Sequence, residues 1–89
     1  MEELFTALEN AILLLRKSRP SAWGALSPTE AMEFLELERN KFRTSQQFDK
    51  KLLQSLFAPT GSIQEISINN GWGDEFIEIS KIIDKYTQL

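Results

Sequence analysis

The chain contains no cysteine and no histidine. Without cysteine there is no disulfide and no thiolate metal site, a composition that fits a reducing compartment. Without histidine the chain lacks the usual general base near neutral pH and the commonest metal ligand. Its 4 glycines form no phosphate-cradling loop. Cations are outnumbered, 10 Lys and Arg against 13 Asp and Glu, and the net charge of −3 weighs against strong nonspecific binding to phosphates. The longest apolar run, residues 11–15, is far too short to span a bilayer. Glu2 and Glu3 stand where a secretory signal would carry Lys or Arg. The expectation is therefore a cytoplasmic protein with no cofactor and no metal, acting neither on nucleic acid nor in a membrane.

What the chain does contain is ordinary for a soluble globular protein: 42% hydrophobic and 26% charged residues. Its 89 residues make one domain, 1–89, with no room for a second core. A domain of this size buries roughly 60–65% of the surface that its unfolded chain exposes, so one modest core is feasible.

Helical periodicity dominates. Over residues 2–18, Leu4, Phe5, Ala7, Leu8, Ala11, Ile12, Leu14 and Leu15 cover about half the circumference, a stripe wide enough for two neighbours. Leu13 falls on the polar side with Thr6, Glu9, Arg16 and Lys17. Arg16, Lys17 and Arg19 suit the helix C-terminus, and Pro20 stops it. Ser27-Pro28-Thr29-Glu30 is a capping box with proline at the first helical position, and Leu26 with Ala31 forms a small hydrophobic staple. The spacing buries Ala31, Phe34, Leu35 and Phe42, with Met32 at the edge and Leu37 outside.

Thr44-Ser45-Gln46-Gln47 reads as a second capping box, opening a helix with Phe48, Leu52, Leu53 and Leu56 inward and Phe57 as a further candidate. Asp49 falls within that stripe but suits the first turn. After the loop Ala58-Pro59-Thr60-Gly61, Ser62-Ile63-Gln64-Glu65 is a third box, leading a short helix that Gly71 closes in the left-handed conformation. Asp74 is the expected N-cap of a last helix reaching residue 86, apolar at Phe76, Ile79, Ile82, Ile83 and Tyr86. The fold expected is all-α: a small bundle of four main helices plus one short helix. The alternative is an α+β fold with a C-terminal β-hairpin, residues 64–68 against 76–80. It rests on the switch from leucine to isoleucine after Pro59 and on Asn70-Gly71 as a hairpin turn.

Residues 62–86 have a helix-turn-helix outline, with Ile66, Ser67, Gly71, Trp72 and Ile77 in the expected order. Asn70 and Ser80 occupy positions that are usually apolar. The second helix opens with Asp74, Glu75 and Glu78, where recognition of DNA needs Arg, Lys, Asn or Gln. A DNA-binding protein is thus an alternative that the charges disfavour. The two cationic clusters, Arg16/Lys17/Arg19 and Arg39/Lys41/Arg43, end successive helices and fall at opposite poles of an up-down bundle.

Glu38 lies among core positions by helical angle, so its carboxylate must be paired, protonated or at the rim. A rim site satisfied by a nearby Lys or Arg is the plain reading; a functional carboxylate in a small enzyme is the alternative. Glu30, Glu33 and Glu36 read as a solvated face rather than metal ligands. With no nucleophile-and-base pair in view, a non-catalytic interaction module is the favoured function: an adaptor, an inhibitor or immunity-type protein, or an accessory subunit. Its partner is another protein or a second copy in a homodimer. The candidate contact residues are Leu13 and Leu37, off the core faces, and Trp23 and Trp72, in the connectors. A tryptophan beside a glycine also serves as a lid on one end of a small core.

Overall fold

In a computed structural model the described residues, 2–20, 26–45, 47–59 and 61–88, form five α-helices and no strand. These are α1 (Glu2–Arg16), α2 (Pro28–Ser45), α3 (Lys50–Leu56), α4 (Ser62–Asn69) and α5 (Gly73–Thr87). The chain is all-α, and the hairpin alternative does not form. Isoleucine's weaker helix propensity, a few tenths of a kcal/mol per residue, is outweighed by burial of Ile63, Ile66, Ile79 and Ile83 at helical spacing.

The broad stripe of α1 does meet two neighbours, α2 and α5. Leu4, Leu8, Ala11, Ile12 and Leu15 are all essentially inaccessible. Both neighbours run antiparallel to α1. Glu9 pairs with Arg39 of α2 at 3.0 Å, and Arg43 sits 5.4 Å over the Phe5 ring. At the far side, Lys85 and Tyr86 of α5 reach Glu3 at the start of α1. The shorter α3 packs on α5, its Gln54 amide donating to Thr87 O at 2.7 Å, while Phe57 stacks on Phe76 with centroids 6.0 Å apart.

The capping box at the head of α2 forms as expected: Ser27 N donates to Glu30 Oε1 at 3.0 Å, and Glu30 N to Ser27 Oγ at 3.1 Å. Four other boundaries differ from the sequence expectation. The Thr44-Ser45 pair does not open a helix. Its hydroxyls instead donate backward, to Asn40 O at 3.0 Å and Lys41 O at 2.9 Å, and prolong α2 to Ser45. The N-cap of α3 is Asp49, whose Oδ1 accepts from Leu52 N at 3.0 Å, so this helix is short rather than one of four main ones. Ser62 lies inside α4 and does not cap it; Gly61 is the N-cap, where an added Cβ would lie 3.1 Å from the carbonyl oxygens of both Ser55 and Ala58. Asp74 is likewise one residue inside α5, because the turn ends at Trp72. There it still faces the helix N-terminus favourably.

The α4–α5 corner is a Schellman motif. Gly71 has φ +78, Gly71 N donates to Ile68 O at 3.3 Å and Trp72 N to Ser67 O at 2.8 Å. The corner is then fastened to the end of α1. Asn70 Oδ1 accepts from Arg19 N at 2.8 Å, and its Nδ2 donates to Arg19 O at 3.0 Å and Ile66 O at 2.9 Å. Trp72 Nε1 donates to Ser18 Oγ at 2.9 Å. One asparagine amide thereby serves two chain ends, Arg19 just beyond α1 and the last turn of α4.

The corner makes two measurable claims. Asn70→Ala removes all three bonds at a partly exposed site and is expected to cost about 1 kcal/mol. Gly71→Ala should cost about 1 kcal/mol through backbone conformation alone, since no atom lies within 4 Å of the added Cβ. Either change should lower the thermal midpoint by roughly 4–8 °C; an unchanged midpoint in Asn70→Ala would mean that Trp72 alone holds the corner.

Candidate functional site

Glu38 is not at the rim. It is 1% exposed, and both carboxylate oxygens are engaged. Oε1 accepts from Asp49 N at 2.6 Å, and Oε2 pairs with Lys41 at 2.8 Å. The lysine partner fits the pairing expected from sequence; the backbone partner and the depth of burial do not follow from it. A relay results in which Glu38 on α2 fixes Asp49, and Asp49 caps α3. The carboxylate thus joins two helices across the bend between them, and neither oxygen is presented to solvent.

Trp72 is buried, 5% exposed, with its indole N–H taken by Ser18. It closes the end of the core where α1, α4 and α5 meet, which is the geometry of a lid. Trp23 lies outside the described residues.

Leu13 and Leu37 are both on the surface, 48% and 58% exposed. They do not lie together. Leu13 borders a groove of about 760 Å³ between α1 and α5. Leu14 and Ile82, both partly buried, also line this groove, over the buried Ile79. Glu2 and Glu3 line one end, and Glu75 and Glu78, with Lys17, line the other. Leu37 belongs to a smaller hollow on α2 with Phe34, Glu30 and Glu33. The sequence placed Phe34 in the core, yet it is 40% exposed. The physical reason is angular: α2 buries Ala31, Leu35, Glu38 and Phe42, a narrow stripe centred away from Phe34.

Ile77, a buried position in the helix-turn-helix outline, is instead 49% exposed, and Asn70, which that outline wants apolar, is committed to Arg19. Asp74, Glu75 and Glu78 all face solvent along the front of α5. The cationic clusters do fall at opposite poles, since α1 and α2 are antiparallel. Among the described residues, no three His, Cys, Asp or Glu side chains gather as a metal site, and no helix is long and apolar enough to cross a membrane. Comparison with protein-family models, with curated proteins and with solved structures finds no match.

Sequence reasoning missed the acidic frame of the groove. In the sequence Glu2 and Glu3 bear only on what the N-terminus excludes, and Glu75 and Glu78 only on the DNA alternative. Their gathering on one surface requires the antiparallel packing of α1 on α5, which joins residues far apart in sequence. The signal available was Leu13 standing on the same side of α1 as Thr6, Asn10 and Lys17.

Two predictions follow from these contacts. Replacing Glu38 by alanine strips Asp49 N of its acceptor and opens a void, at an expected cost of about 3 kcal/mol. Glu38→Gln keeps an oxygen for Asp49 N and should cost only about 1 kcal/mol, both read by urea unfolding; equal losses would mean that the Lys41 pair, not the backbone bond, is what matters. At the mouth of the groove, the hydrogen bond and charge of Lys85, with a smaller contribution from Tyr86 hydroxyl, hold the Glu3 carboxyl below its ordinary value of 4.5. The hydrogen bond and charge of Glu3 in turn raise the Lys85 ammonium above 10.5. A lowered acid stabilises the fold above the ordinary carboxylate range and loses that contribution as pH falls through the lowered value. A raised base keeps its contribution up to the ordinary lysine range and loses it as pH rises through the raised value. Glu3→Gln should therefore make the thermal midpoint less pH-dependent below pH 4.5 and above pH 10.5. Because the pair is exposed, the change should be small and should shrink further in high salt.

Proposed function

We propose that this chain is a non-catalytic protein-interaction module, working as an adaptor, an inhibitor or an accessory subunit of another protein. One observation carries the reading: Leu13 stands half exposed in a groove whose lining it shares with the partly buried Leu14 and Ile82, so it is not an isolated surface residue. Single exposed leucines are normal on any protein, whereas an apolar groove framed by charges is typical of a contact surface. The hollow holding Phe34 and Leu37 offers a second, smaller patch of the same character.

Two other readings are less well supported. A small enzyme built on Glu38 would need that carboxylate accessible, but it is buried with both oxygens engaged. A helix-turn-helix protein would present the exposed Asp74, Glu75 and Glu78 to phosphates, which repels them. Self-association is also weakened by charge. A two-fold pairing through the α1–α5 groove would set its carboxylates against their own copies, with only Lys17 in the lining to offset them.

The test compares wild type with a Leu13→Asp/Leu37→Asp variant. Both substitutions are on exposed positions, so circular dichroism and the thermal midpoint should change little. Light scattering is expected to give a monomer mass for each. In affinity capture, a partner should be retained by wild type and lost by the variant. Identical capture by both proteins would remove these surfaces from the function, and a wild-type dimer that the variant abolishes would make the partner a second copy.

A further inference from the structure

Resting on the interaction reading, we propose that the α1–α5 groove receives a cationic amphipathic helix of a partner protein. Four features of the groove specify that occupant. Its apolar surface comes from Leu13 and Leu14 on one helix and Ile82 on the other, with the buried Ile79 beneath, so it lies between two antiparallel helices. The stretch of α1 that lines it, residues 2–17, is about 22 Å long at 1.5 Å per residue, and the stretch of α5, residues 75–82, about 10 Å, so both walls contact about two turns of a partner helix and α1 continues alongside it. Both ends are acidic on balance, with Glu2 and Glu3 near the start of α1 and Glu75 and Glu78, partly offset by Lys17, near the start of α5. All the polar side chains in the lining are exposed, so none is buried to fix the orientation of a small molecule.

The fold also restricts how a peptide can bind. Among the described residues there is no strand, so no sheet edge is offered for strand addition, and affinity must come from side-chain packing. That is the helix-in-groove mode, in which apolar anchors three or four residues apart enter the groove and flanking side chains meet the rim. Here the rim calls for Lys or Arg. Glu3 is shared with Lys85 at 3.0 Å, and Glu78 has only a loose exposed contact with Lys81 at 3.6 Å. Among the described residues Glu2 and Glu75 make no ion pair. The occupant therefore carries apolar residues on one face and cations flanking them at both ends.

Fluorescence anisotropy with two labelled synthetic peptides of 15 residues tests this directly. Each peptide has leucines at helical three-four spacing; one carries lysine and the other glutamate at the flanking positions. The lysine peptide should bind the wild-type chain, weakening as salt rises, and the glutamate peptide should bind at least about tenfold more weakly. Leu13→Asp should weaken the lysine peptide by about tenfold or more, Glu75→Lys/Glu78→Lys should reduce or reverse the preference between peptides, and Ile77→Asp, at an exposed position of α5 outside the lining, should leave both unchanged. Equal binding of the two peptides, or binding indifferent to Leu13→Asp and to the charge reversal, overturns the proposal. Loss of binding in Leu37→Asp alone overturns the groove while leaving the interaction reading intact. Failure of that broader reading shows separately, as capture that does not distinguish wild type from the double aspartate variant.

Discussion

Helix α1 carries more apolar circumference than a single neighbour can cover, and the remaining elements are arranged around that requirement. Leu4, Leu8, Ala11, Ile12 and Leu15 are removed from water only because α2 covers one flank and α5 the other. Burial of apolar area is the main favourable term in a domain of this size. Both neighbours must run antiparallel to α1, and everything after α2 serves to bring α5 back along it. The short helices α3 and α4 are the means of return. The first packs on α5, and the second ends in the corner that turns the chain onto α1.

The polar interior makes that return specific. Apolar surfaces would tolerate several angles of approach, whereas hydrogen bonds in partly buried places tolerate few. Glu38 fixes the first backbone amide after the α2–α3 bend and so sets where α3 can begin. Asn70 pairs with both backbone groups of Arg19 and so sets where α4 must end. Between them, these two side chains define the two bends that the hydrophobic pattern leaves unspecified. Among the described residues no buried side-chain nitrogen or oxygen lacks a partner, so the interior polar groups are a cost fully offset.

Much of this architecture was legible in the sequence, and the exceptions have a common cause. The width of the α1 stripe, the Ser27–Glu30 box and the left-handed Gly71 depend on residues within a turn or two of one another, and local pattern reveals them. Thr44-Ser45 has the composition of a helix start, but a hydroxyl can accept from the following turn or donate to the preceding one, and local pattern does not decide between them. Phe34 was misplaced because a helical wheel centres the buried face on the apolar residues, whereas here the buried line runs through Ala31, Leu35, Glu38 and Phe42. At the candidate site, the exposure of Leu13 and Leu37 followed from their positions on the wheel. The acidic frame did not, because it is assembled across the first and last helices.

That same pairing of first and last helices has a kinetic consequence. Glu3 touches Lys85 across nearly the whole chain, so the α1–α5 interface is among the last that a nascent polypeptide can complete. At synthesis rates of about 5–20 residues per second, one flank of α1 waits several seconds for its cover. During that interval α1 and α2 can already pair as an antiparallel hairpin, the contact of lowest sequence separation available to them. The half-covered stripe of α1 is then the segment most exposed to misassociation. It is shielded only when the Asn70 corner folds and delivers α5.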